Sequence, residues 1–262
     1  MLEQWIASIP VPPGHNEPLS PESLTALPVR FPTGIVNERV ILPMVEAAST
    51  TQITWPLALD PERPQFLQSH ELGLVCKLVE ARLLKRLRFA DSNVYSVAVG
   101  IDFSTHCSPN PGQPARGTMQ VSFSSDPHRA ALTADSVLAE LFLLRTEGPT
   151  QEDVSSTCEI ARREHEEALQ TNQYWLERLR QCAFAQRVDG SKAEKFELWE
   201  AERQQVLREM SPAGVTQVLQ ALLSHSNTNY SIVTLLPSSL PTCGALASAV
   251  HENLIRCAAP SW

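Results

Sequence analysis

Glycine, basic charge and long apolar runs are all scarce in this sequence of 262 residues. Its ten glycines form neither a Gly-x-Gly-x-x-Gly nor a Gly-Lys-Ser/Thr motif, so nucleotide binding has no support. The net charge of -8 at pH 7 argues against a basic face for nucleic acid or an anionic membrane. No apolar run reaches the ~20 residues that a membrane span needs, and no signal core follows Met1. We therefore expect a soluble chain whose compartment the sequence leaves open.

Cysteine and histidine are present, but without the spacings that hold metals or activate nucleophiles. The six cysteines include no Cys-x-x-Cys pair, which indicates isolated thiols. A zinc hydrolase of the His-x-x-Glu-His type needs two imidazoles one helical turn apart, and the seven histidines offer no such pair. HELGL at His70 and HEEAL at His165 come nearest, and we interpret both as solvated helix residues. With no Gly-x-Ser-x-Gly elbow either, we expect neither a metal site nor independent catalysis in this chain.

The first thirty residues differ in character from the remainder. Residues 1–9 contain LEQWIASI, whose apolar residues have helical spacing, and seven of the twenty prolines follow within residues 10–32. A similar order of amphipathic helix and proline ends the chain. We therefore expect residues 1–9 to be the tail helix of a preceding domain that this chain lacks, residues 10–30 an interdomain linker, and residues 31–262 one domain.

Hydrophobic periodicity in this domain predicts strands and helices in a mixed order. Runs rich in β-branched residues predict strands at 34–43, 51–59, 94–103, 117–125 and 229–237. Apolar spacings of three and four predict helices at 65–88, 127–146, 150–185, 194–210, 211–223 and 245–256. The first two strands are expected to form a hairpin. This order predicts an α+β domain with a mixed, mainly antiparallel sheet and helices packed on one face.

Four ordered stretches resemble one known family. They are VEARLLKRLRFADSNVYSV, RGTMQVSFSSDPHRAALTADSVLAELFLLRTEGPTQEDV, ARREHEEALQTNQYWLERL, and MSPAGVTQVLQALL with the following NYSIVTLLP. Together they resemble the C-terminal, non-zinc-binding domain of insulinase/pitrilysin-type zinc metallopeptidases, the inverzincins, which have a processing-peptidase-like fold. The resemblance extends from about residue 28 to residue 257.

The resemblance implies that two domains of the enzyme have different roles. In this family two similar α+β domains form a chamber, and only the N-terminal one holds zinc. The chain would then be non-catalytic, with zinc in a zinc-bearing N-terminal domain or partner subunit and a peptide as the substrate. The family's Arg-x6-Tyr spacing, which follows a helix, is matched by Arg88 and Tyr95 and implies that both contact this peptide. Residue types alone favour a structural interpretation, in which Arg88 caps a helix C-terminus and Tyr95 packs on a sheet edge. The family resemblance favours the contact with peptide.

Two further interpretations stay open. Metal-free relatives of this family act as structural or assembly subunits, related to respiratory-complex core proteins or processing-peptidase partners. An unrelated α+β binding module is the third interpretation, and it requires the ordered resemblance to be accidental. A His-x-x-Glu-His motif upstream of this chain would favour the peptidase over the structural subunit.

Overall fold

The computed structural model describes residues 33–44, 48–60, 62–90, 94, 96–103, 116–184, 192–223 and 229–238. The predicted tail helix at 1–9, the linker at 10–30 and the helix at 245–256 lie outside these residues. The strands are β1 (Ile35–Leu42), β2 (Ser49–Ala58), β3 (Ser96–Phe103), β4 (Arg116–Ser125) and β5 (Tyr230–Pro237). The helices are α1 (Gln65–Ala90), α2 (Ala130–Glu147), α3 (Gln151–Ala168), α4 (Asn172–Phe184), α5 (Lys192–Glu209) and α6 (Pro212–Leu222).

The five strands form one mixed sheet in the order β1-β5-β2-β4-β3. Only β1 and β5 are parallel, and the other neighbours are antiparallel. The predicted α+β class with a mainly antiparallel sheet is confirmed. The predicted hairpin of the first two strands is wrong, because β5 lies between them and pairs Tyr230 with Ile35 on one side and Ile232 with Ile53 on the other. Strand-forming residues show that a segment is extended but not which neighbour it takes.

Side-chain alternation on the central strands places the core on the helical side of the sheet. On β2 and β4, Ile53, Trp55, Val121 and Phe123 are buried at 0–2% exposure, while the residues between them face the other side. The facing stripe of α1 is equally buried and consists of Val75, Val79, Leu83 and Leu87. Burial of each such side chain contributes roughly 1.5–3 kcal/mol. This stripe fixes α1 across the sheet.

The helix predicted over 150–185 is two helices, α3 and α4. A capping box begins α3, because the Thr150 side chain accepts a hydrogen bond from Asp153 N and the Asp153 carboxylate accepts one from Thr150 N. At the break, Thr171 Oγ1 accepts from Tyr174 N at 3.3 Å and begins α4. The Trp175 indole donates to the carbonyl oxygen of Leu169 at 2.9 Å, which satisfies one of the last acceptors near the end of α3.

The described helices include none that combines the length and the apolar character of a membrane span.

Candidate functional site

The two predicted site residues flank the connection between α1 and β3. Arg88 belongs to the last turn of α1, which ends at Ala90, and Tyr95 directly precedes Ser96, the first residue of β3. We call residues 88–96 the α1–β3 corner. The side chain of Arg88 and the whole of Tyr95 lie outside the described residues, so their contact with a peptide stays a prediction.

The α1–β3 corner is held between two well-anchored elements. Before it, Leu87 is fully buried under the sheet; after it, Val97 is 9% exposed. The Glu80 carboxylate of α1 accepts a hydrogen bond from the backbone N–H of Val99 at 2.9 Å, which ties the helix directly to β3. A charge-assisted bond of this kind is stronger than a neutral one. The helix and the strand therefore hold fixed positions on either side of the corner.

An ion-pair network secures the C-terminal half of α1. Arg82 Nε donates to Glu140 Oε1 of α2 at 2.9 Å, and its Nη1 lies 3.3 Å from Asp153 Oδ2 in the first turn of α3. Arg86 Nε lies 3.8 Å from the second oxygen of Glu140. Burial alone would raise the pKa of Asp153, but its hydrogen bonds from Thr150 and the charge of Arg82 lower it overall. Three helices are thereby joined directly behind the corner.

The sheet surface opposite the helices is mainly polar across β3, β4 and β2. We call this surface the open face. Its side chains come from alternate positions: Ser96, Ala98, Gly100, Asp102, Arg116, Thr118, Gln120, Ser122, Ser124, Thr50, Gln52, Thr54, Pro56 and Ala58. Asp102 and Arg116 are the acidic and the basic residue among them, and both lie toward the end of the sheet away from Ser96. Hydroxyl and amide groups can both donate and accept hydrogen bonds, which is what a peptide group requires of a partner.

Two glutamines link the hydroxyl groups of the open face. Gln52 Nε2 donates to Thr54 Oγ1 and to Gln120 Oε1, each at 3.3 Å, and Gln120 Nε2 donates to Thr118 Oγ1 at 3.1 Å. Beside this chain, Gly100 leaves open space, with no atom within 4 Å of where a Cβ would stand. The open face is therefore an ordered polar surface with room above its β3 side.

The open face meets the α1–β3 corner at one end of the sheet. There Ser96 pairs with Ser124, and Ser124 pairs with Thr50 on the next strand. In the sequence, Tyr95 directly precedes Ser96, the first residue of this row of hydroxyl groups. The sequence analysis did not single out this surface. Alternating Ser, Thr and Gln on the predicted strands was the available signal.

The interpretation of His70 and His165 as solvated residues is wrong for both. His70 Nε2 lies 3.0 Å from the carbonyl oxygen of Trp199, and the two rings meet edge to face at 4.6 Å. Burial lowers the pKa of His70 to about 4, although the hydrogen bond to Trp199 opposes this shift. The His165 side chain, 12% exposed, lies 6.2 Å from the same indole and also has a lowered pKa because of burial. Both histidines are shielded from solvent by a tertiary contact, because Trp199 of α5 packs against them.

Trp199, and not Trp175, is the buried tryptophan of this aromatic cluster. Trp199 is 7% exposed and has the Arg178 guanidinium 4.2 Å from its ring centre. Trp175 is 41% exposed and stands 5.7 Å from Phe196 at the edge of this aromatic cluster. The cluster joins α1, α3, α4 and α5, and it explains why the two histidines are structural.

The described part of the chain does not suit a zinc ion. Across these residues, no three His, Cys, Asp or Glu side chains lie together as a metal site. His70 is engaged with a backbone carbonyl. Burial raises the pKa of the Cys76 thiol to about 12, so the free thiol is protonated at neutral pH. No zinc chemistry is therefore assigned to these residues.

Comparison with known proteins places this fold in a family. No family model matches the chain. It is 32% identical over 238 residues to the zinc protease PQQL-like protein of Arabidopsis thaliana, a match that covers 90% of this chain and 25% of that protein. The chain therefore spans about a quarter of the length of this relative.

Solved structures agree at the level of the fold. The peptidase M16 inactive domain from Pseudomonas fluorescens shares 16% identity and superposes with a TM-score of 0.54, over 82% of this chain and 47% of that one. A variant of the ferredoxin protease FusC, in complex with Arabidopsis ferredoxin, has 17% identity and a TM-score of 0.55, over 79% and 21% of the two chains. The sequence itself contains no His-x-x-Glu-His motif. The chain belongs to the insulinase/pitrilysin-type zinc metallopeptidase family, as a domain that lacks the zinc-binding motif.

Proposed function

We propose that this chain is the non-catalytic C-terminal domain, or a fragment, of a pitrilysin-like zinc metalloendopeptidase. It encloses and orients a peptide substrate that a zinc-bearing N-terminal domain or partner subunit hydrolyses. Zinc in that other part of the enzyme supplies a Lewis acid and an activated water. The observation that carries this proposal is the open face, an ordered polar surface that ends at the α1–β3 corner.

The chemistry of the open face suits an extended peptide. Peptide N–H and C=O groups need partners of both kinds, and the amides of Gln52 and Gln120 with the neighbouring hydroxyls provide both. The two charged residues of the face, Asp102 and Arg116, have opposite signs, so the face has no net charge that would favour substrate side chains of one sign. A surface of this kind binds through the backbone of the substrate and tolerates many sequences.

The corner adds the more specific contacts. A guanidinium is always ionised, and a phenol donates one hydrogen bond, so Arg88 and Tyr95 suit a peptide carbonyl or the oxyanion of a tetrahedral intermediate. Tyr95 directly precedes Ser96 in the sequence, and Ser96 pairs with Ser124; this sequence position supports a role for Tyr95 at the edge of the open face. The related FusC variant was crystallised in complex with ferredoxin, which supports a protein or peptide as the substrate class.

Removal of one hydroxyl tests the proposal. In the full-length enzyme, or in this chain reconstituted with its zinc-bearing part, Tyr95→Phe should lower kcat for a quenched fluorescent peptide by about 10–100-fold, because a donor to the developing oxyanion is lost. The melting temperature should stay unchanged. Tyr230→Phe is the matched control, because Tyr230 packs near Trp55, with ring centres 6.1 Å apart.

The outcomes separate the two family roles. Equal turnover by the Tyr95→Phe and Tyr230→Phe enzymes would refute the assignment of Tyr95. A stable complex with a zinc-bearing partner, in which a photoactivatable peptide never labels this chain, would instead indicate the structural or assembly subunit. Labelling at the open face supports the substrate-enclosing role.

A further inference from the structure

A groove of about 970 Å³ lies at the end of the sheet opposite the α1–β3 corner. We call it the α1–α6 groove. Its walls are the beginning of α1, the end of α5 and one side of α6, and its floor is the last part of β2. The apolar lining comes from Trp55, Leu57, Leu59, Leu67, Leu72, Val206, Met210, Val218 and Leu222. This surface belongs to neither the open face nor the aromatic cluster.

The groove combines an apolar floor with a charged rim. Leu57, Leu59 and Leu72 form a separate small core cluster at its base. Its charged lining consists of Asp60, Glu71 and Glu209 together with Arg63 and Arg116, and Arg63 and Glu71 form a bidentate pair whose nearest atoms are 2.8 Å apart. Because the acidic groups outnumber the basic ones by one, the groove suits an apolar chain segment that carries a single positive charge.

The polypeptide before β1 leaves the described fold at the mouth of this groove. Asn229 lines the groove, and the next residue, Tyr230, pairs with Ile35 at the start of β1. Gly34 has a φ of 100°, a left-handed conformation that favours glycine.

The preceding residues have the composition that the groove favours. Residues 27–32 read LPVRFP and lie outside the described residues. They alternate apolar side chains with one arginine, and their two prolines restrict φ and reduce the entropy lost on binding. The α6 wall from Gly214 to Leu222 is about 12 Å long at 1.5 Å per residue. An extended chain at about 3.1 Å per residue would place roughly four residues along it.

We propose that residues 27–32 bind in the α1–α6 groove of their own chain in an extended conformation. Phe31 packs on the apolar floor, and Arg30 lies near the acidic groups Asp60 and Glu209. The link from Phe31 to Ile35 can span at most about 14 Å, which keeps the segment at the mouth of the groove. The contact would fix the end of the expected linker on the domain. It does not depend on the proposed peptidase role.

Trypsin tests this proposal directly, because Arg30 is followed by Phe31 and offers a cleavage site within the segment. An acidic residue after arginine itself slows trypsin, so each rate of cleavage after Arg30 is divided by the rate for a synthetic peptide of the same sequence. On this scale, cleavage of the intact chain should be about tenfold slower than that of Phe31→Asp, since proteolysis follows the population of the released segment. Leu19→Asp, in the same proline-rich region but outside the proposed contact, is the matched control and should be cut as slowly as the unmodified chain. Mass spectrometry identifies the site.

A second pair of variants tests the groove itself. Ala221→Gln places a polar side chain in the groove and should also speed cleavage after Arg30. Ala213→Gln lies on the same helix away from the groove lining and should not. Urea midpoints confirm that all four variants stay folded, and Leu27→Asp replaces any variant that does not.

Each outcome of the cleavage experiments supports or overturns binding of residues 27–32 in the groove. Equal cleavage of the unmodified chain, Phe31→Asp and Ala221→Gln overturns the proposal. Protection that disappears on dilution shows that a second copy fills the groove, and overturns it as well. Protection that is independent of concentration and lost in both variants supports it.

Discussion

Loss of the Arg82 guanidinium tests how firmly the helices hold the α1–β3 corner. Glu140 is only 6% exposed at its side chain and accepts its closest hydrogen bond from Arg82. Removal of one partner of a buried pair costs about 3–5 kcal/mol, because the other charge is left without compensation. Arg82 is itself 36% exposed, and Arg86 stands 3.8 Å from Glu140 as a partial substitute. We therefore expect Arg82→Met to lower the free energy of unfolding by about 2 kcal/mol.

Urea unfolding followed by far-UV circular dichroism measures this loss. Lys85→Met is the matched control, because Lys85 is exposed on the same helix, and it should change stability by less than about 0.5 kcal/mol. The double variant Arg82→Met with Glu140→Leu should be more stable than the sum of the single losses predicts, by about 1–3 kcal/mol. Removal of both charges eliminates the buried, unpaired carboxylate.

Two outcomes would contradict the reasoning. If Arg82→Met costs no more than Lys85→Met, the network does not stabilise α1. Strictly additive losses in the double variant would show that Arg82 and Glu140 act through other neighbours. We expect the coupling energy between Arg82 and Glu140 to stay unchanged in 1 M salt, since salt screens a buried pair less than an exposed one.

Two further changes have expected outcomes. Burial lowers the pKa of His70 to about 4 in the folded chain, so as the pH falls below about 6.5 the unfolded chain binds a proton that the folded chain does not. The free energy of unfolding should therefore drop by up to about 3 kcal/mol by pH 4. His70→Gln should remove this pH dependence, which urea titrations at several pH values measure. Gly100→Thr should keep or raise stability by about 0.5 kcal/mol, since a Cβ there meets no atom within 4 Å. The same change should slow peptide turnover in the assembled enzyme if the open face borders the substrate, whereas unchanged kinetics would remove Gly100 from that border.

Local sequence signals predicted most helices because helix boundaries depend on nearby residues. Ser211 accepts a hydrogen bond from Gly214 N at 3.2 Å and begins α6 as the sequence indicates. Gly148 ends α2 with a φ of 77°, and a Cβ there would stand 2.5 Å from Thr216 Oγ1. The break between α3 and α4 was missed because it contains neither glycine nor proline. Thr171, which begins α4, was the one local signal.

Long-range neighbours could not be predicted in the same way. The pairing of β1 with β5 joins residues that are far apart in the sequence, and the residue pattern of a strand does not identify the strand with which it pairs. The same holds for His70 and His165, whose lowered pKa values follow from the position of Trp199. The prediction of Arg88 and Tyr95 as peptide-binding residues came from the family resemblance. The open face could be recognised only from the register of the paired strands.

The edge of β3 bears on how a peptide could meet the α1–β3 corner. An extended peptide often binds by adding a strand to a free sheet edge, where backbone N–H groups can donate to it. At β3 the N–H of Val99 already donates to the Glu80 carboxylate at 2.9 Å. An added strand would have to break this charge-assisted bond and leave Glu80 without its partner, which makes backbone pairing unfavourable there. At this part of the β3 edge, peptide contacts through side chains are therefore favoured over backbone pairing, and the Arg88 and Tyr95 hypothesis assigns contacts of that kind to a guanidinium and a phenol.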